Sequence, residues 1–125
     1  MDNKFDVVIV GTGAAGLYAA LNFPESVNIL LVSKRELQLS NSSLAQGGVA
    51  CVLDTVHDSY KLHITDTLIA GKYKNTLSAV EKLVTEGPSD VLKIKDLGVD
   101  FDLNEDGTMC KTLEAGHSRN KNVHQ

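Results

Sequence analysis

The chain has 125 residues, of which 42% are apolar and 22% charged, and its formal net charge is −4. This composition is typical of one soluble globular domain, and the acidic balance argues against binding to nucleic acid or to an anionic membrane. The apolar runs are too short to span a membrane and the N-terminus lacks a signal-peptide pattern, so we expect a cytoplasmic location. Cys51 and Cys110 lie in no metal-binding spacing, which predicts two reduced thiols and no metal site.

The first predicted elements form a βαβ unit over residues 1–33. Residues 5–10 and 27–32 are continuous apolar runs, the pattern of strands that are covered on both faces of a parallel sheet. Between them a glycine turn leads into a helix that Pro24 should end. The order strand, helix, strand predicts an α/β fold of the Rossmann-like kind, with a parallel sheet and flanking helices.

A loop and a helical region should follow this unit. Residues 34–56 have no clear period and are predicted to be mostly loop. Residues 57–98 are predicted to be largely helical. The first helix of that region would be capped by Asp58 and would end at Gly71.

A second helix should begin at a cap on Asn75 and end at Gly87, where Pro88 would open a third. Residues 99–103 have the pattern of a short strand, and residues 104–107 are a strong turn signal. The stripe that the second helix should bury consists of Leu77, Val80, Leu83 and Val84.

The glycine turn has the spacing G-x-G-x-x-G directly between a strand and a helix. In that context Gly11 permits the tight turn, Gly13 lets a pyrophosphate approach the backbone, and Gly16 lets helix and strand pack closely. The N-terminus of the helix adds unpaired amides and a partial positive charge. We therefore expect a dinucleotide to contact Gly11, Thr12, Gly13, Ala14, Ala15 and Gly16.

The end of the second strand leaves the identity of the dinucleotide open. NAD-binding proteins usually have an acidic residue there, whereas this chain has Ser33 and Lys34, with Glu36 several residues further on. Lys34 could meet the 2′-phosphate of NADP, or Ser33 and Lys34 could serve a longer cofactor. An exposed surface lysine is the third interpretation.

The segments GTGAAGLYAAL, VSK and SSLAQGGVA resemble the succinate dehydrogenase/fumarate reductase flavoprotein family. The resemblance implies FAD as the cofactor and a loop of small residues that wraps it, since only small side chains let backbone amides reach the flavin and the phosphates. The implied FAD contacts are Ser33, Lys34, Asn41, Ser42, Ser43, Leu44, Ala45, Gln46, Gly47 and Gly48. Respiratory members attach FAD covalently through a histidine at the place of Asn41, and an amide cannot form that bond, so the FAD should be non-covalent.

The segments HDSYKLHITDTLIAG, AVEKLVTEGP, LGVDFD and LEAGHS resemble the L-aspartate oxidase branch of that family. The resemblance implies oxidation of L-aspartate to iminoaspartate, with O2 or fumarate as acceptor, as the first step of NAD biosynthesis, and it suggests quinolinate synthase as a partner. Glu114 matches a family residue that orients the substrate, and pairing with the substrate ammonium would favour aspartate over succinate. His117 and Ser118 match residues at the substrate site or beside the flavin, although a structural role for His117 is an equal alternative. His57, His63 and His124 are expected to be structural or exposed.

The resemblance also implies that the chain is the N-terminal part of a discontinuous FAD-binding domain, with residues 99–125 starting a truncated substrate-site segment. Such a fragment should lack oxidase activity alone. Ala115 replaces a family glycine and Asn122 stands at an apolar position, which are departures from the pattern. The alternatives are a soluble fumarate reductase or succinate-oxidising enzyme, a NAD(P)-binding module, and a small complete nucleotide-binding domain.

Overall fold

The computed structural model describes residues 4–45, 47–113 and 116–124. The chain divides into two compact units, Met1–Gln46 and Gly47–Gln125. Glu114, Ala115 and Gln46, which the sequence analysis singled out, lie outside the described residues.

The first unit contains the predicted βαβ arrangement. Strand β1 (Val7–Val10), helix α1 (Ala14–Leu21) and strand β2 (Ile29–Val32) follow in chain order, with a short 3-10 turn at Leu37–Leu39. The two strands are parallel and in register from Val7 opposite Ile29 to Val10 opposite Val32. The predicted α/β class and parallel pairing are therefore confirmed.

The glycine turn brings α1 very close to the end of β1. Gly11 has a φ of +110°, a backbone conformation that only glycine adopts readily. A Cβ atom added to Gly16 would lie 2.0 Å from the Gly11 carbonyl oxygen. The helix ends at Leu21, with Asn22 as its C-cap, and thus stops before the predicted position at Pro24.

The second unit contains two helices and a short antiparallel ladder. Its elements are β3 (Val49–Ala50), α2 (Tyr60–Ala70), α3 (Leu77–Asp96) and β4 (Asn122–Val123). Strands β3 and β4 pair antiparallel, and Thr112 forms a further bridge to Asn122. The buried core of this unit consists of Cys51, Val91, Met109 and Val123, with Leu53 and Phe101 packed against it.

The N-cap of helix α2 lies one residue later than predicted. Ser59 is the N-cap, and its hydroxyl accepts a hydrogen bond from the Leu62 amide at 3.2 Å. The prediction of Asp58 as the cap was wrong because its carboxylate is buried in an ion pair with Lys121 instead. Gly71 is the C-cap, as predicted.

Helix α3 is continuous through Pro88, so the predicted break at Gly87 was wrong. Proline removes one backbone hydrogen bond and costs about 3 kcal/mol inside a helix. Val80, Val84 and Val91 are all buried, so the stripe that runs across the proline offsets that cost.

The predicted start and stripe of α3 also need correction. The N-cap is Thr76 rather than Asn75. Asn75 instead packs on Gly71, where an added Cβ would lie 1.9 Å from its side-chain oxygen. Leu77 and Leu83 are exposed, although the helical pattern predicted that they would be buried. Periodicity alone cannot locate the edge of a buried stripe when no neighbouring element covers it.

The predicted turn at residues 104–107 is confirmed. The Gly107 amide donates to the Asn104 carbonyl at 2.9 Å, and Gly107 has a φ of +79°. The preceding segment forms only an isolated bridge between Leu103 and Met109, so the predicted strand over 99–103 does not form among the described residues.

We predict that Gly16→Ala destabilises the first unit by about 1–3 kcal/mol, because its methyl group would collide with the backbone of Gly11. Urea unfolding followed by the NMR amide signals of α1 measures this change. The matched control is Gly87→Ala in α3, where an added Cβ meets no atom within 4 Å. That substitution should stabilise its helix by about 0.5–1 kcal/mol, and equal destabilisation by both changes would contradict the steric explanation.

Candidate functional site

The first candidate site is the N-terminal end of α1. Thr12 is buried, and its hydroxyl donates to the Ser33 hydroxyl at 2.9 Å. Ser33 in turn donates to the Arg35 carbonyl at 2.5 Å. These contacts join Thr12, the second residue after β1, to Ser33, the residue after β2, so the carboxyl ends of both strands are tied together at the glycine turn.

The small-residue loop also contacts this helix end. The Ser42 hydroxyl accepts a hydrogen bond from the Ala14 amide at 3.0 Å. A Cβ on Gly13 would lie 3.0 Å from the same hydroxyl oxygen, so a side chain at residue 13 would crowd the contact. Ser40 shapes the loop, since its hydroxyl and its carbonyl accept from the amides of Ser43 and Leu44. The structure thus brings Ser42 to the turn that the motif identified.

The helix end fits the diphosphate of a dinucleotide. The first amides of a helix have no carbonyl partner in the preceding turn, and α1 has neither a capping side chain on its N-cap Gly13 nor an acidic residue in its first turn. The partial positive charge of the helix end is therefore available to an anion. Because Gly13 has no side chain, a ligand can approach the backbone there. A larger residue would fill that space.

The remaining predicted cofactor contacts have different surroundings. Lys34 is exposed just beyond β2. Asn41, Ser43, Leu44 and Ala45 are exposed in and beside the turn that carries Ser42. Gly47 and Gly48 belong to the second unit, where a Cβ on Gly48 would lie 2.6 Å from the Val123 carbonyl oxygen. Pairing with β4 thus gives a structural reason for glycine at position 48, and its cofactor role stays a prediction.

The second candidate site surrounds a buried lysine in the second unit. Lys121 has no exposed surface, and its Nζ atom lies 3.2 Å from Asp58 Oδ2 and 3.9 Å from Asp66 Oδ2. Asp58 precedes α2 and Asp66 lies within it. A buried ammonium needs such partners because an unpaired charge away from water is very costly.

Ser118 is held by one of these carboxylates. Its amide and its hydroxyl both donate to Asp66 Oδ2, at 2.8 and 2.9 Å. Burial acts to raise the pKa of Asp66, but the two Ser118 donors and the charge of Lys121 outweigh burial, and the pKa falls below its ordinary value. Ser118, predicted as a substrate-site residue, is thus anchored to α2.

His117 packs against a histidine of α2. The rings of His63 and His117 meet edge to face, with centroids 5.0 Å apart. The Nδ1 atoms of both rings are buried and have no hydrogen-bond partner among the described residues. Burial, followed by the nearby charge of Lys121, lowers the pKa of His63 to about 4. His63 is therefore buried and neutral. Of the two roles expected for it, structural or exposed, the structural one fits.

The two histidines line a cavity of about 510 Å³. Its other walls are mostly apolar or small and are formed chiefly by β3, α2 and α3. They comprise Val49, Ala50, Cys51, Thr67, Ala70, Gly71, Asn75, Leu83, Val84, Gly87, Val91 and Gly116. An apolar cavity with two imidazoles suits a planar or partly apolar ligand.

Sequence reasoning missed three members of the second site, namely His63, Asp66 and Lys121. His63 and Asp66 are three residues apart on α2, so they share a helix face, and this spacing was an available signal. Nothing local marks Lys121, because its burial depends on carboxylates more than fifty positions away. Glu114, the predicted substrate-orienting residue, lies outside the described residues, and its role stays a prediction.

Neither a metal site nor a membrane span is found in the described part of the chain. Its histidines, cysteines and carboxylates form no group of three that could hold a metal ion. None of its helices is long and apolar enough to cross a bilayer. Cys51 and Cys110 are free thiols, as the sequence predicted.

The chain matches a known family model over almost its whole length. The model is described as an FAD binding domain, and it matches residues 6–125. The glycine turn and the N-terminal end of α1 lie within the matched region, so the family and the geometry of the first candidate site agree.

Two curated relatives share 44% of the aligned residues with this chain. One is the L-aspartate oxidase of Clostridium perfringens, aligned over 99% of this chain and 28% of its own length. Another is the L-aspartate oxidase of Nostoc sp., aligned over 98% of this chain and 21% of its own length. The chain thus spans less than a third of the length of these relatives.

Solved structures with the same fold include an Sdh1 complex and a quinol fumarate reductase. The Sdh1 complex of Mycobacterium smegmatis in the apo form matches with a TM-score of 0.88 and 30% identity, over 96% of this chain and 21% of that one. The FrdA chain of E. coli quinol fumarate reductase matches with a TM-score of 0.89 and 28% identity, over 95% of this chain and 21% of that one.

We predict that the buried imidazole of His63 makes stability fall on acidification between about pH 6.5 and pH 4. The folded pKa is lowered to about 4 from 6.5, so in that window the unfolded chain binds a proton that the folded chain does not. The free energy of unfolding should therefore decrease by at most about 1.4 kcal/mol per pH unit as pH falls. Urea unfolding at several pH values measures this dependence.

The variant His63→Gln tests that assignment, since it should lose this part of the pH dependence. His57→Gln is the matched control, because it changes an exposed histidine and leaves His63 in place. An unchanged slope in His63→Gln would contradict the assignment.

Proposed function

Since the chain belongs to the FAD binding domain family, we propose that it forms the N-terminal part of an FAD-dependent enzyme that oxidises L-aspartate. The observation that supports this most strongly is the 44% identity to an L-aspartate oxidase over 99% of the chain. The N-terminus of α1, whose N-cap Gly13 has no side chain and whose first amide donates to Ser42, supports the cofactor part of the proposal.

The first unit would hold the cofactor through its pyrophosphate. The Gly11 amide already donates to the Val32 carbonyl, so amides in the first turn of α1, such as those of Ala15 and Gly16, would donate to phosphate oxygens. Ser42, which accepts from the Ala14 amide, would orient this end of the helix. Asn41 replaces the histidine that attaches FAD in respiratory relatives, so the cofactor would be bound non-covalently. Bound FAD supplies a two-electron acceptor for hydride transfer, and the protein supplies orientation and electrostatics.

The segment with Glu114, His117 and Ser118 would orient the substrate. A carboxylate at Glu114 would pair with the substrate ammonium, a contact that succinate cannot make. L-Aspartate would lose two electrons and two protons from its Cα–N bond to become iminoaspartate. The electrons would then pass to O2, which yields hydrogen peroxide, or to fumarate, which yields succinate.

The biological setting is part of the same proposal. Oxidation of L-aspartate would be the first step of NAD biosynthesis, and quinolinate synthase would be the enzyme that consumes the iminoaspartate. We propose a cytoplasmic location for the protein, although curated relatives from Oryza sativa and Nicotiana tabacum are named as chloroplastic.

A succinate-oxidising or fumarate-reducing enzyme is the second candidate function. The fold matches to the Sdh1 and FrdA chains favour it, with TM-scores of 0.88 and 0.89. Their identities of 30% and 28% are lower than the 44% shared with an L-aspartate oxidase. We therefore prefer the proposal that the substrate is L-aspartate.

We predict that Ser42→Ala weakens FAD binding, because the Ala14 amide loses its hydroxyl partner and the helix end loses its ordering contact. Loss of such a cap typically costs about 0.5–2 kcal/mol, which corresponds to a factor of about 2–30 in the dissociation constant. Fluorescence titration of FAD into the full-length apoenzyme measures it. Ser26→Ala, at an exposed serine in the turn before β2, is the control, and equal weakening by both variants would contradict a specific role for Ser42.

We predict that Glu114→Gln lowers the preference for L-aspartate over succinate by about tenfold to a hundredfold. The physical reason is the loss of a charge-assisted contact worth about 1.5–3 kcal/mol. Anaerobic flavin reduction by each substrate in the full-length enzyme gives the ratio. Glu105→Gln, in the exposed turn at residues 104–107, is the matched control. Faster reduction by succinate in the unaltered enzyme would favour the second candidate function.

A further inference from the structure

We propose that Lys121 is a positioning residue of the substrate site, which acts through Asp58 and Asp66 to fix the turn that carries His117. The proposal rests on the proposed function, because it assigns this turn to the substrate site. It goes further in naming a lysine and two carboxylates that the sequence did not assign to a functional site.

Lys121 is fully buried and paired with a carboxylate. Its side chain has no exposed surface, and its ammonium donates to Asp58 Oδ1 at 3.3 Å. The following residue, Asn122, begins β4, which pairs with β3. The lysine therefore connects the start of β4 to α2 at two places. One is Asp58, just before the helix, and the other is Asp66, within it.

Two donors and one cation converge on a single oxygen atom of Asp66. Asp66 Oδ2 accepts the amide and the hydroxyl of Ser118, and it lies 3.9 Å from the Lys121 ammonium. Hydrogen bonds to an ionised carboxylate are stronger than bonds to a neutral group. The charge of Lys121 favours ionised Asp66, so it strengthens the anchor of Ser118.

His117 is held in place next to the anchored residue Ser118. The residue before it, Gly116, has a φ of +90°, and the residue after it, Ser118, is bound to α2 through its amide. The ring of His117 packs on His63, which also belongs to α2. The backbone and the ring of His117 are thus both held by α2. The ion pairs of Lys121 with Asp58 and Asp66 determine how strongly this turn is fixed to the helix.

A purely structural role is the competing explanation, and charge-neutral replacement separates the two. Removing only the lysine would leave a buried unpaired carboxylate and destabilise the fold. Replacing a buried ion pair by uncharged residues of similar size is often neutral for stability. The double variant Lys121→Met with Asp58→Asn should therefore fold and bind FAD while it loses the positioning effect.

The experiment compares this double variant with Lys121→Arg and with a control in the full-length enzyme. Lys82→Met is the control, because Lys82 forms an exposed ion pair with Glu86 on α3 at 2.9 Å. We expect the double variant to lose at least tenfold in kcat for L-aspartate, with FAD affinity within twofold of the unaltered enzyme. Lys121→Arg should restore kcat to within about threefold, and Lys82→Met should leave it unchanged.

A spectroscopic readout makes the test independent of turnover. The ring NMR signals of His117 and His63 should shift in the double variant, while those of exposed His57 stay in place. Unmoved His117 signals, or a loss of kcat that only follows a loss of FAD affinity or folding, would overturn the proposal. If the unaltered enzyme does not oxidise L-aspartate, the proposed function fails, and the His117 signals still decide whether Lys121 positions this turn.

Discussion

The close approach of α1 to the end of β1 is the constraint on which the first unit depends. Gly16 lies so near the Gly11 carbonyl that no side chain fits between helix and turn. The helix starts there without a carboxylate or a capping side chain of its own, so the amides that follow Ala14 and the partial charge are available to an anion. The Ala14 amide itself donates to Ser42, so the glycine turn and the small-residue loop meet at the same helix end.

The second unit solves a different problem, the burial of charge. Lys121 is enclosed between two carboxylates, and one of these also holds Ser118. Its neighbours His63 and His117 present imidazoles to an apolar cavity. A buried polar network fixes a unique geometry to the extent that its members have partners. Here the Nδ1 atoms of the two histidines have none among the described residues.

Local signals predicted the fold of the first unit well and that of the second unit less well. The apolar runs and the glycine spacing indicated β1, α1 and β2, because every determinant lies within 30 residues. Pro88 shows the limit of such signals, since the burial of Val84 and Val91 on either side of it keeps the helix continuous. Asp58 shows it again, because a buried lysine from the other end of the unit takes the carboxylate that would otherwise cap α2.

The sequence by itself determined the class of the protein: glycines at the spacing of a phosphate turn, small residues in a loop, and family motifs that point to a flavoprotein. These features are legible because they are local or because relatives share them. Only the tertiary structure decided that Ser42 meets Ala14 and that Lys121, Asp66, Ser118 and the two histidines form one cluster. Those contacts join residues that are distant in the chain, and the energy of burying a charge depends on partners that no local pattern records.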